Sequence, residues 1–193
     1  MSPAPILSRE SAQESILRSA DQLFYERGIA GVGMADVRDS AGVSLRRLYS
    51  LHPSKSDLVA AWLEDRHQTW MRWFADSVDR QVMDGVEPVR AILGAIEEWA
   101  TSPGYRGCAF LNAIAETTEI DDRHRAIVAG HKRALIQHVS VVVHGAYPSA
   151  PEWFASALGV LIDGAVVDSA VFGSLAPIAD ASSAASALLD SFT

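Results

Sequence analysis

The 193-residue sequence predicts an all-α protein of about nine helices. Apolar residues recur at helical spacing, and Ile16, Ala20, Leu23 and Phe24 are the first example of this pattern. Strict alternation of apolar and polar residues, which indicates half-buried strands, never lasts for more than a few positions. Glycine, proline and serine residues interrupt the apolar pattern at the intervals expected of helix ends. These three observations favour helices packed on helices.

Capping residues set the expected boundaries of the helices. Ser8 can cap the first helix and Gly28 can end it, because a serine oxygen accepts from free N–H groups and glycine tolerates a positive φ. Pro53 ends the third helix, Ser54 caps the fourth and Pro88 opens the fifth. The nine expected helices have the approximate bounds 9–27, 34–41, 45–51, 55–83, 88–100, 107–118, 122–145, 151–174 and 178–191.

Charge divides the chain into two predicted domains. Residues 1–55 hold seven Lys/Arg and six Asp/Glu, a net charge of +1, whereas residues 56–193 hold nine and eighteen, a net charge of −9. Four basic residues and one acidic residue lie between Arg38 and Lys55. The sequence therefore predicts a three-helix N-terminal head over residues 1–55, with a basic end, and an acidic helical body over residues 56–193.

Composition narrows the class of protein. About half of the residues (49%) are apolar and 21% are charged, which excludes a disordered or collagen-like chain. Cys108 is the single cysteine, so no intrachain disulfide is possible. The first eight residues lack the basic and apolar regions of a signal peptide, and Ser156 and Asp163 interrupt the most apolar stretch, residues 153–167. We therefore expect a soluble protein of the cytoplasm.

A helix-turn-helix motif is predicted at about residues 33–52. Gly42 supplies the positive φ of a tight turn between two short helices. Val43 can fill the angle between these helices, Ser44 can cap the second one, and Leu48 returns the apolar face four residues later. Two short helices joined by a glycine-containing turn are typical of motifs whose second helix enters the major groove of DNA.

The start of this second helix carries side chains suited to DNA. Arg46 and Arg47 have planar guanidinium groups that match the two acceptors of a guanine edge and also pair with phosphate. Because they point about 100° apart on a helix, we expect one to face base edges and the other to reach phosphate. Leu45 is placed to contact a thymine methyl, and Tyr49 and Lys55 to hold phosphates. An isolated arginine pair is more often a solvated helix face, but the spacing of the surrounding residues favours DNA binding.

Four stretches in and around the motif form a combined pattern: Phe24-Tyr25-Glu26-Arg27-Gly28, Ala41-Gly42-Val43-Ser44, Leu48-Tyr49 and Ser54-Lys55 with Leu58 following. This pattern resembles the tetracycline-repressor (TetR) family of transcriptional regulators. The resemblance implies a DNA-binding head, a ligand-binding body and a homodimer whose affinity for a palindromic operator falls when a small apolar or aromatic effector binds. A weaker resemblance in the body rests on helix order and on the segment 106–112.

The expected DNA-binding residues lie in or beside the two short helices. Three positions depart from the family pattern, because Arg38 and Arg46 stand where small residues are usual and His52 stands where phenylalanine is usual. The residues expected to bind DNA are Met34, Ser44, Leu45, Arg46, Arg47, Tyr49, His52 and Lys55.

The body is rich in aromatic residues that are candidates for an effector site, since small-molecule sites are mostly apolar with a few polar groups. The aromatic residues of the body are Trp62, Trp70, Trp73, Phe74, Trp99, Phe110 and Trp153. Core packing explains each of them singly, but for the set as a whole we favour a cavity lined by two or three of them. Cys108 has two interpretations, a redox or electrophile sensor and a small buried apolar residue. The expected effector-binding residues are Trp62, Trp70, Trp73, Trp99, Cys108 and Phe110.

The last two helices are expected to form a homodimer through a four-helix bundle, because a single helix-turn-helix contacts too few base pairs for useful specificity. The long helix that begins at Lys55 joins head and body and is expected to transmit effector binding by its tilt. The residues expected to supply close backbone approach and apolar area in the dimer are Ala157, Gly164, Ala165, Ala181, Ala184, Ala185, Leu158, Leu161, Leu188 and Leu189.

Other chemistry has little support in the sequence. No nucleophile motif, phosphate loop or metal-ligand spacing is present, so we expect no cofactor, no metal and no enzyme. His124, His131 and His138 recur every seven residues, but a helix rise of about 10.5 Å separates neighbours, too far for a shared metal ion. The alternative function is a small all-α enzyme or carrier that binds an apolar metabolite, and a gel shift with the protein's own promoter DNA distinguishes it from a regulator.

Overall fold

The computed structural model describes residues 8–116 and 121–192. Within these ranges the protein has nine α-helices and no strand, which confirms the all-α prediction. The helices are α1 Arg9–Arg27, α2 Met34–Ala41, α3 Leu45–Leu51, α4 Lys55–Met83, α5 Pro88–Ala100, α6 Ala109–Ala115, α7 Asp122–Ala146, α8 Trp153–Phe172 and α9 Ala176–Asp190.

Local hydrogen bonds and glycine geometry explain where the helices begin and end. The hydroxyls of Ser8, Ser44 and Ser54 cap α1, α3 and α4, each accepting at 3.0 to 3.1 Å from the backbone N–H three residues later. Helix α6 is shorter than its predicted bounds of 107–118, since Gly107 has a φ of 77° and the helix begins only at Ala109. Residues 117 and 118 of that prediction lie outside the described residues.

The chain divides into two units. The first unit is drawn from Met1–His67 and Phe110–Val128, and the second from Gln68–Ala109 and Ala129–Thr193. The boundary expected at residue 55 therefore falls inside the first unit, which also includes the first part of α4, nearly all of α6 and the start of α7.

The first unit has an apolar core that holds α3 in place. Leu48 of α3 is fully buried, as are Ile16 of α1, Val37 of α2 and Leu58 of α4. Each buried apolar side chain of this size contributes about 1.5–3 kcal/mol to folding. The face of α3 that carries Leu48 is therefore fixed, and its opposite face is directed to solvent.

The second unit buries residues that were expected to form a dimer interface. Leu158 and Ala165 of α8 and Ala181, Ala185 and Leu189 of α9 are all buried within one chain. The expectation that these five side chains contact a second subunit is therefore corrected, because α8 and α9 pack against each other and α5 covers them. Apolar spacing alone does not separate an internal helix contact from one between subunits.

Helix α8 is unusually apolar for a helix of a soluble protein. By length and composition alone it could cross a membrane, and it is the one helix among the described residues of which this is true. Core helices of soluble proteins pass the same test, and 44% of its most apolar window is buried within the protein. Its composition is therefore weak evidence for a membrane span and fits a helix that packs on several sides.

Candidate DNA-binding surface and effector site

The turn between α2 and α3 has the geometry of a helix-turn-helix. Gly42 adopts a left-handed conformation with a φ of 66° and a ψ of 28°, which a side chain would strain. Val43 N–H donates to the carbonyl of Arg38 at 3.3 Å, closing the end of α2. Ser44 then accepts from the N–H of Arg47 at 3.1 Å and starts α3. Two residues therefore separate the end of one short helix from the cap of the next.

Helix α3 presents a polar and apolar surface to solvent. Leu45 and Tyr49 are 42% and 43% exposed, large values for an apolar and an aromatic side chain. Arg46 is exposed as well, whereas Arg47 is half-buried. Leu45, Arg46 and Tyr49 therefore form the outer face of the helix, and Arg46 lies on the side opposite buried Leu48.

The expected DNA-binding residues on either side of α3 lie in the first turns of their own helices. Met34 is the first residue of α2 and Lys55 is the first residue of α4, and both are half-buried. Arg38 is paired with the neighbouring Asp39, its guanidinium nitrogen 2.6 Å from the carboxylate. The guanidinium of Arg38 is therefore partly neutralised by its own helix.

His52 is placed differently from the other expected DNA-binding residues. It follows α3 and is only 4% exposed, and its Nε2 atom has no hydrogen-bond partner among the described residues. Burial lowers the pKa of His52, and the nearby Asp57 carboxylate opposes this in part. Its ring is part of the packing under α3 rather than of the exposed face, so His52 is not among the proposed DNA contacts.

An H52F variant is expected to unfold at a higher temperature than the wild type, and the difference should grow as the pH falls. The lowered pKa means that the unfolded chain binds the proton more readily, so stability is lost as pH drops below the ordinary value of 6.5. Phenylalanine removes both this proton uptake and an unpaired buried nitrogen that costs about 1–3 kcal/mol. Thermal unfolding of both proteins at about pH 8 and about pH 5.5 measures this difference in unfolding temperature.

H144F is the matched control for this variant, because His144 is hydrogen-bonded within α7 to Ser140. It removes a histidine without removing the unpaired nitrogen under α3. If H52F and the wild type lost the same stability between the two pH values, the burial of His52 would not be the source of the acid sensitivity.

Trp70 is the centre of a group of aromatic rings in the second unit. Its indole stacks on Phe74 with 5.0 Å between ring centroids, and it meets Trp99 and His131 edge-on at 5.4 Å each. Phe74 meets His138 at 5.7 Å, and Trp99 meets Tyr105 at 5.1 Å. The aromatic cluster formed in this way consists of Trp70, Trp73, Phe74, Trp99, Tyr105, His131 and His138.

Two buried nitrogen atoms of the aromatic cluster lack hydrogen-bond partners among the described residues. They are Nε1 of Trp70 and Nε2 of His138. Trp62 provides a contrast within the same long helix, because its Nε1–H donates to Asp21 at 2.7 Å. A buried donor without a partner costs about 1–3 kcal/mol, so a bound oxygen acceptor would recover free energy at these atoms.

The structure distributes the expected effector-binding residues over both units. Trp70, Trp73 and Trp99 are in the aromatic cluster, as expected of a shared site. Trp62 is buried in the first unit, where it packs edge-on against Phe24 at 5.2 Å and belongs to that unit's core. Phe110 is also buried in the first unit, and Cys108 is buried in the second unit just before α6.

Three members of the aromatic cluster were not expected from the sequence to bind an effector: Tyr105, His131 and His138. The spacing of Trp70 and Phe74, four residues apart, was a usable signal for one shared helix face. The contacts of α4 with α5 and α7 have no such signal in the sequence. Within the described ranges no group of three metal-ligating side chains is present.

An open cleft borders the aromatic cluster in the second unit. It has a volume of about 410 Å³ and is lined by Ala100, Thr101, Tyr105, Ser169 and Leu175, with neighbouring loop residues. Tyr105 belongs to both the cleft and the cluster, and its hydroxyl bonds to Ser169 at 2.9 Å. Ligand clefts of small-molecule sites have volumes of about 300–1,000 Å³.

An apolar stripe is exposed along α8. Val160, Val167 and Val171 are 73%, 45% and 70% exposed, and Trp153 is 52% exposed. With exposed Gly164 they lie within about 40° of one line along the helix. The α8 stripe therefore consists of Trp153, Val160, Gly164, Val167 and Val171, and only Gly164 was among the residues expected at a dimer interface.

Comparison with known proteins gives a consistent result. The family model described as bacterial regulatory proteins, tetR family, matches residues 16–62. The HTH-type transcriptional regulator TtgR of Pseudomonas putida is 25% identical, with 82% of this chain and 81% of that protein aligned. Among solved structures, a TetR-family transcriptional regulator from Streptomyces coelicolor is 26% identical with a TM-score of 0.78, covering 95% and 96% of the two chains. The reduced form of Escherichia coli NemR has a TM-score of 0.79 at 20% identity, covering 92% and 97%.

Proposed function

We propose that this chain, a DNA-binding transcriptional regulator whose residues 16–62 match the model of the tetR family of bacterial regulatory proteins, is a ligand-responsive repressor. In this proposal a homodimer binds a palindromic operator in the cytoplasm and is released by a small aromatic effector. The observation that carries the proposal is the outer face of α3, where Leu45, Arg46 and Tyr49 are exposed above a buried anchor.

We assign a role in DNA binding to the exposed and half-buried groups in and around α3. Arg46 is the most exposed cation of the helix start, so it reads a guanine edge, and Leu45 contacts a thymine methyl. Arg47 and Tyr49 hold phosphates on either side of the groove. Ser44, Met34 and Lys55 lie at helix starts, where backbone N–H groups favour phosphate oxygens.

The α8 stripe supports the dimer. Monomeric soluble proteins seldom expose large contiguous apolar surfaces, and such surfaces mark interfaces. Two copies related by a two-fold axis would bury the stripe of each on the other. Gly164 lets the two helices approach closely at the centre of the stripe.

The aromatic cluster supports one chemical class of effector. Indole and phenyl faces favour a planar aromatic ligand, and the N–H of Trp70 requires an oxygen or nitrogen acceptor on it. The net charge of −9 over residues 56–193 disfavours an anion. We therefore propose a neutral planar aromatic compound that carries a hydroxyl or carbonyl oxygen.

Operator release by such compounds tests the proposal. An operator is first selected from random duplexes by the full-length protein, and fluorescence anisotropy then follows its release by a panel of hydroxylated and carbonyl-bearing naphthalenes. A W70F variant should bind operator like the wild type but need about tenfold or more of the compound for release, because it lacks the N–H worth about 1.5 kcal/mol. W73F keeps that N–H and is the control.

The outcomes separate the parts of the proposal. Selection of an inverted repeat supports a dimeric operator, and selection of a single unrepeated site would contradict it. A panel that releases no operator at any concentration would contradict the proposed effector class. Equal responses of W70F and the wild type would show that Trp70 does not bind the effector.

A further inference from the structure

Residues on both sides of the connection between α6 and α7 contact the segments that flank the helix-turn-helix within the first unit. On one side Glu116, directly after α6, accepts a hydrogen bond from Ala30 N–H at 2.7 Å. Its carboxylate also covers Gly28, where an added Cβ would lie 3.0 Å from Oε1. This contact holds the turn that leads into α2.

On the other side, Ser56 in the first turn of α4 makes two hydrogen bonds. Its hydroxyl donates to Asp121 at 2.8 Å, and its carbonyl accepts from Nε2 of His124 at 2.9 Å. Arg123 adds an ion pair with Asp57 at 3.2 Å. These contacts hold the turn that follows α3.

Both carboxylates of this contact are ionised at neutral pH. The backbone N–H of His124 and the hydroxyl of Ser56 lower the pKa of Asp121. The hydroxyl of Ser54, with Arg123 as a smaller cause, lowers the pKa of Asp57. The acceptor for Ser56 and the partner of Arg123 therefore keep their charge at the pH of the cell.

The ring of His124 is fixed at both nitrogen atoms. It is fully buried, and its Nδ1 lies 3.1 Å from the backbone nitrogen and 3.0 Å from the carboxylate of Asp121. Nε2 carries the proton that is donated to Ser56, because a carbonyl oxygen can only accept. A buried ring held in this way cannot shift along or around α7 without breaking one of the two hydrogen bonds.

Helix α7 joins His124 to the aromatic cluster. His131 and His138 follow at intervals of seven residues, nearly two turns, so the three rings lie on almost the same side of the helix. The helix belongs to the first unit as far as Val128 and to the second unit from Ala129. Because α7 is one continuous helix from Asp122 to Ala146, it includes His124 in the first unit and His131 and His138 in the second.

We propose that His124 and Glu116 are positioning residues for DNA binding, and that α7 carries the effector response from the aromatic cluster to the helix-turn-helix. The inference rests on the proposed function, because it takes α3 as the recognition helix and the aromatic cluster as the effector site. The motif at residues 33–52 is held at its entrance through Ala30 and at its exit through Ser56. When either contact breaks, that end of the motif is free to move. The distance between the two recognition helices of a dimer then no longer matches the distance between the operator half-sites.

Three variants of the full-length protein test the role of His124. H124F keeps an aromatic ring but removes both hydrogen bonds. H124Q restores a donor for the carbonyl of Ser56 and an acceptor for the N–H of Asp121. H144F is the matched control, because His144 lies on the same helix and bonds within it to Ser140. Binding is measured to an operator selected by the wild type and to a scrambled duplex.

H124F is expected to bind operator about tenfold more weakly than the wild type, within the range of about 5–150-fold that is typical of coupled sites. H124Q and H144F should stay within about threefold of the wild type. Affinity for the scrambled duplex should not change, since phosphate contacts of each head alone do not depend on head spacing. A purely structural role for His124 would lower both affinities and the unfolding temperature together.

Side-chain NMR of ¹⁵N-histidine-labelled protein tests the route along α7 without any effector. Coupling is reciprocal, so operator should shift the ring signals of His131 and His138 in the wild type and in H144F. These shifts should vanish in H124F. If H124F does not fold, E116A and its conservative partner E116Q provide the same pair of measurements at the entrance of the motif.

Each failure has a distinct signature. Operator affinity of H124F, or of E116A in its place, within about threefold of the wild type overturns the positioning role. Ring shifts of His131 and His138 that persist in that variant overturn the route along α7. A wild-type protein that selects no operator overturns the proposed function and this inference with it, and that result is seen before any variant is made.

Discussion

A V160D substitution on the α8 stripe is expected to turn the dimer into a monomer and to weaken operator binding by about 100-fold or more. In a two-fold symmetric interface the substitution places two new carboxylates in one apolar contact, and unpaired buried charge is strongly unfavourable. The two recognition helices then bind independently, so the increase in operator affinity of about 10²–10⁴-fold that comes from linking them is lost. Because Val160 is 73% exposed in the single chain, the charge leaves the monomer folded.

V141D is the control for this prediction, since Val141 on α7 is 67% exposed but lies off the stripe. Light scattering at micromolar concentration and anisotropy with the selected operator measure the two effects. A V160D protein that remains dimeric would place the interface elsewhere. A monomeric V160D protein with wild-type operator affinity would show that one head suffices for binding.

The helix bounds of the first five helices were predictable because local chemistry decides them. The hydroxyls of Ser8, Ser44 and Ser54 cap their helices whatever the rest of the chain does. Gly42 must follow α2, since its φ of 66° is accessible to glycine at little cost. The helix-turn-helix could be predicted from the sequence for the same reason, because the residues that form its turn are neighbours in the chain.

The dimer-forming side of α8 was not predictable from the sequence, because the helix is apolar on more than one side. Leu158 and Ile162 are buried within the chain, whereas Val160 and Val171 are exposed. A periodic pattern identifies a helix face only when the other faces are polar. The residues of α8 expected in the dimer therefore included Leu158 and Ala165, which are buried within the chain, as well as exposed Gly164.

The aromatic cluster was only half predictable, because its contacts join residues distant in sequence. Trp70 and Trp99 were chosen for their type alone, whereas Tyr105 lies in the loop after α5 and His131 and His138 lie on α7. His138 looked like a half-buried surface histidine, and its unpaired Nε2 becomes evident only when Phe74 is seen to pack against the ring. His52 shows the reverse case, since its position beside α3 suggested DNA contact and its burial argues against it.

An R46A variant is expected to bind operator at least about 30-fold more weakly and to lose its preference at one base pair in each half-site. One arginine–guanine contact is worth about 1–3 kcal/mol, and the dimer makes it twice, giving about 2–6 kcal/mol in total. A difference of about 1.4 kcal/mol is a factor of ten, so the lower limit is about 30-fold. Affinity for a scrambled duplex should fall far less, because there Arg46 contributes only charge.

R46K and R47A separate base reading from charge. Lysine at position 46 keeps the positive charge but lacks the planar fork, so R46K should lose the base preference while it keeps the salt dependence of the wild type. R47A should weaken all sequences alike and lower the salt slope by about one for each phosphate that is no longer neutralised. Titrations against operator and single-substituted duplexes at two salt concentrations measure both effects. If R46A kept the operator preference and R47A lost it, the half-buried arginine would be the base-reading residue and the exposed one would bind phosphate.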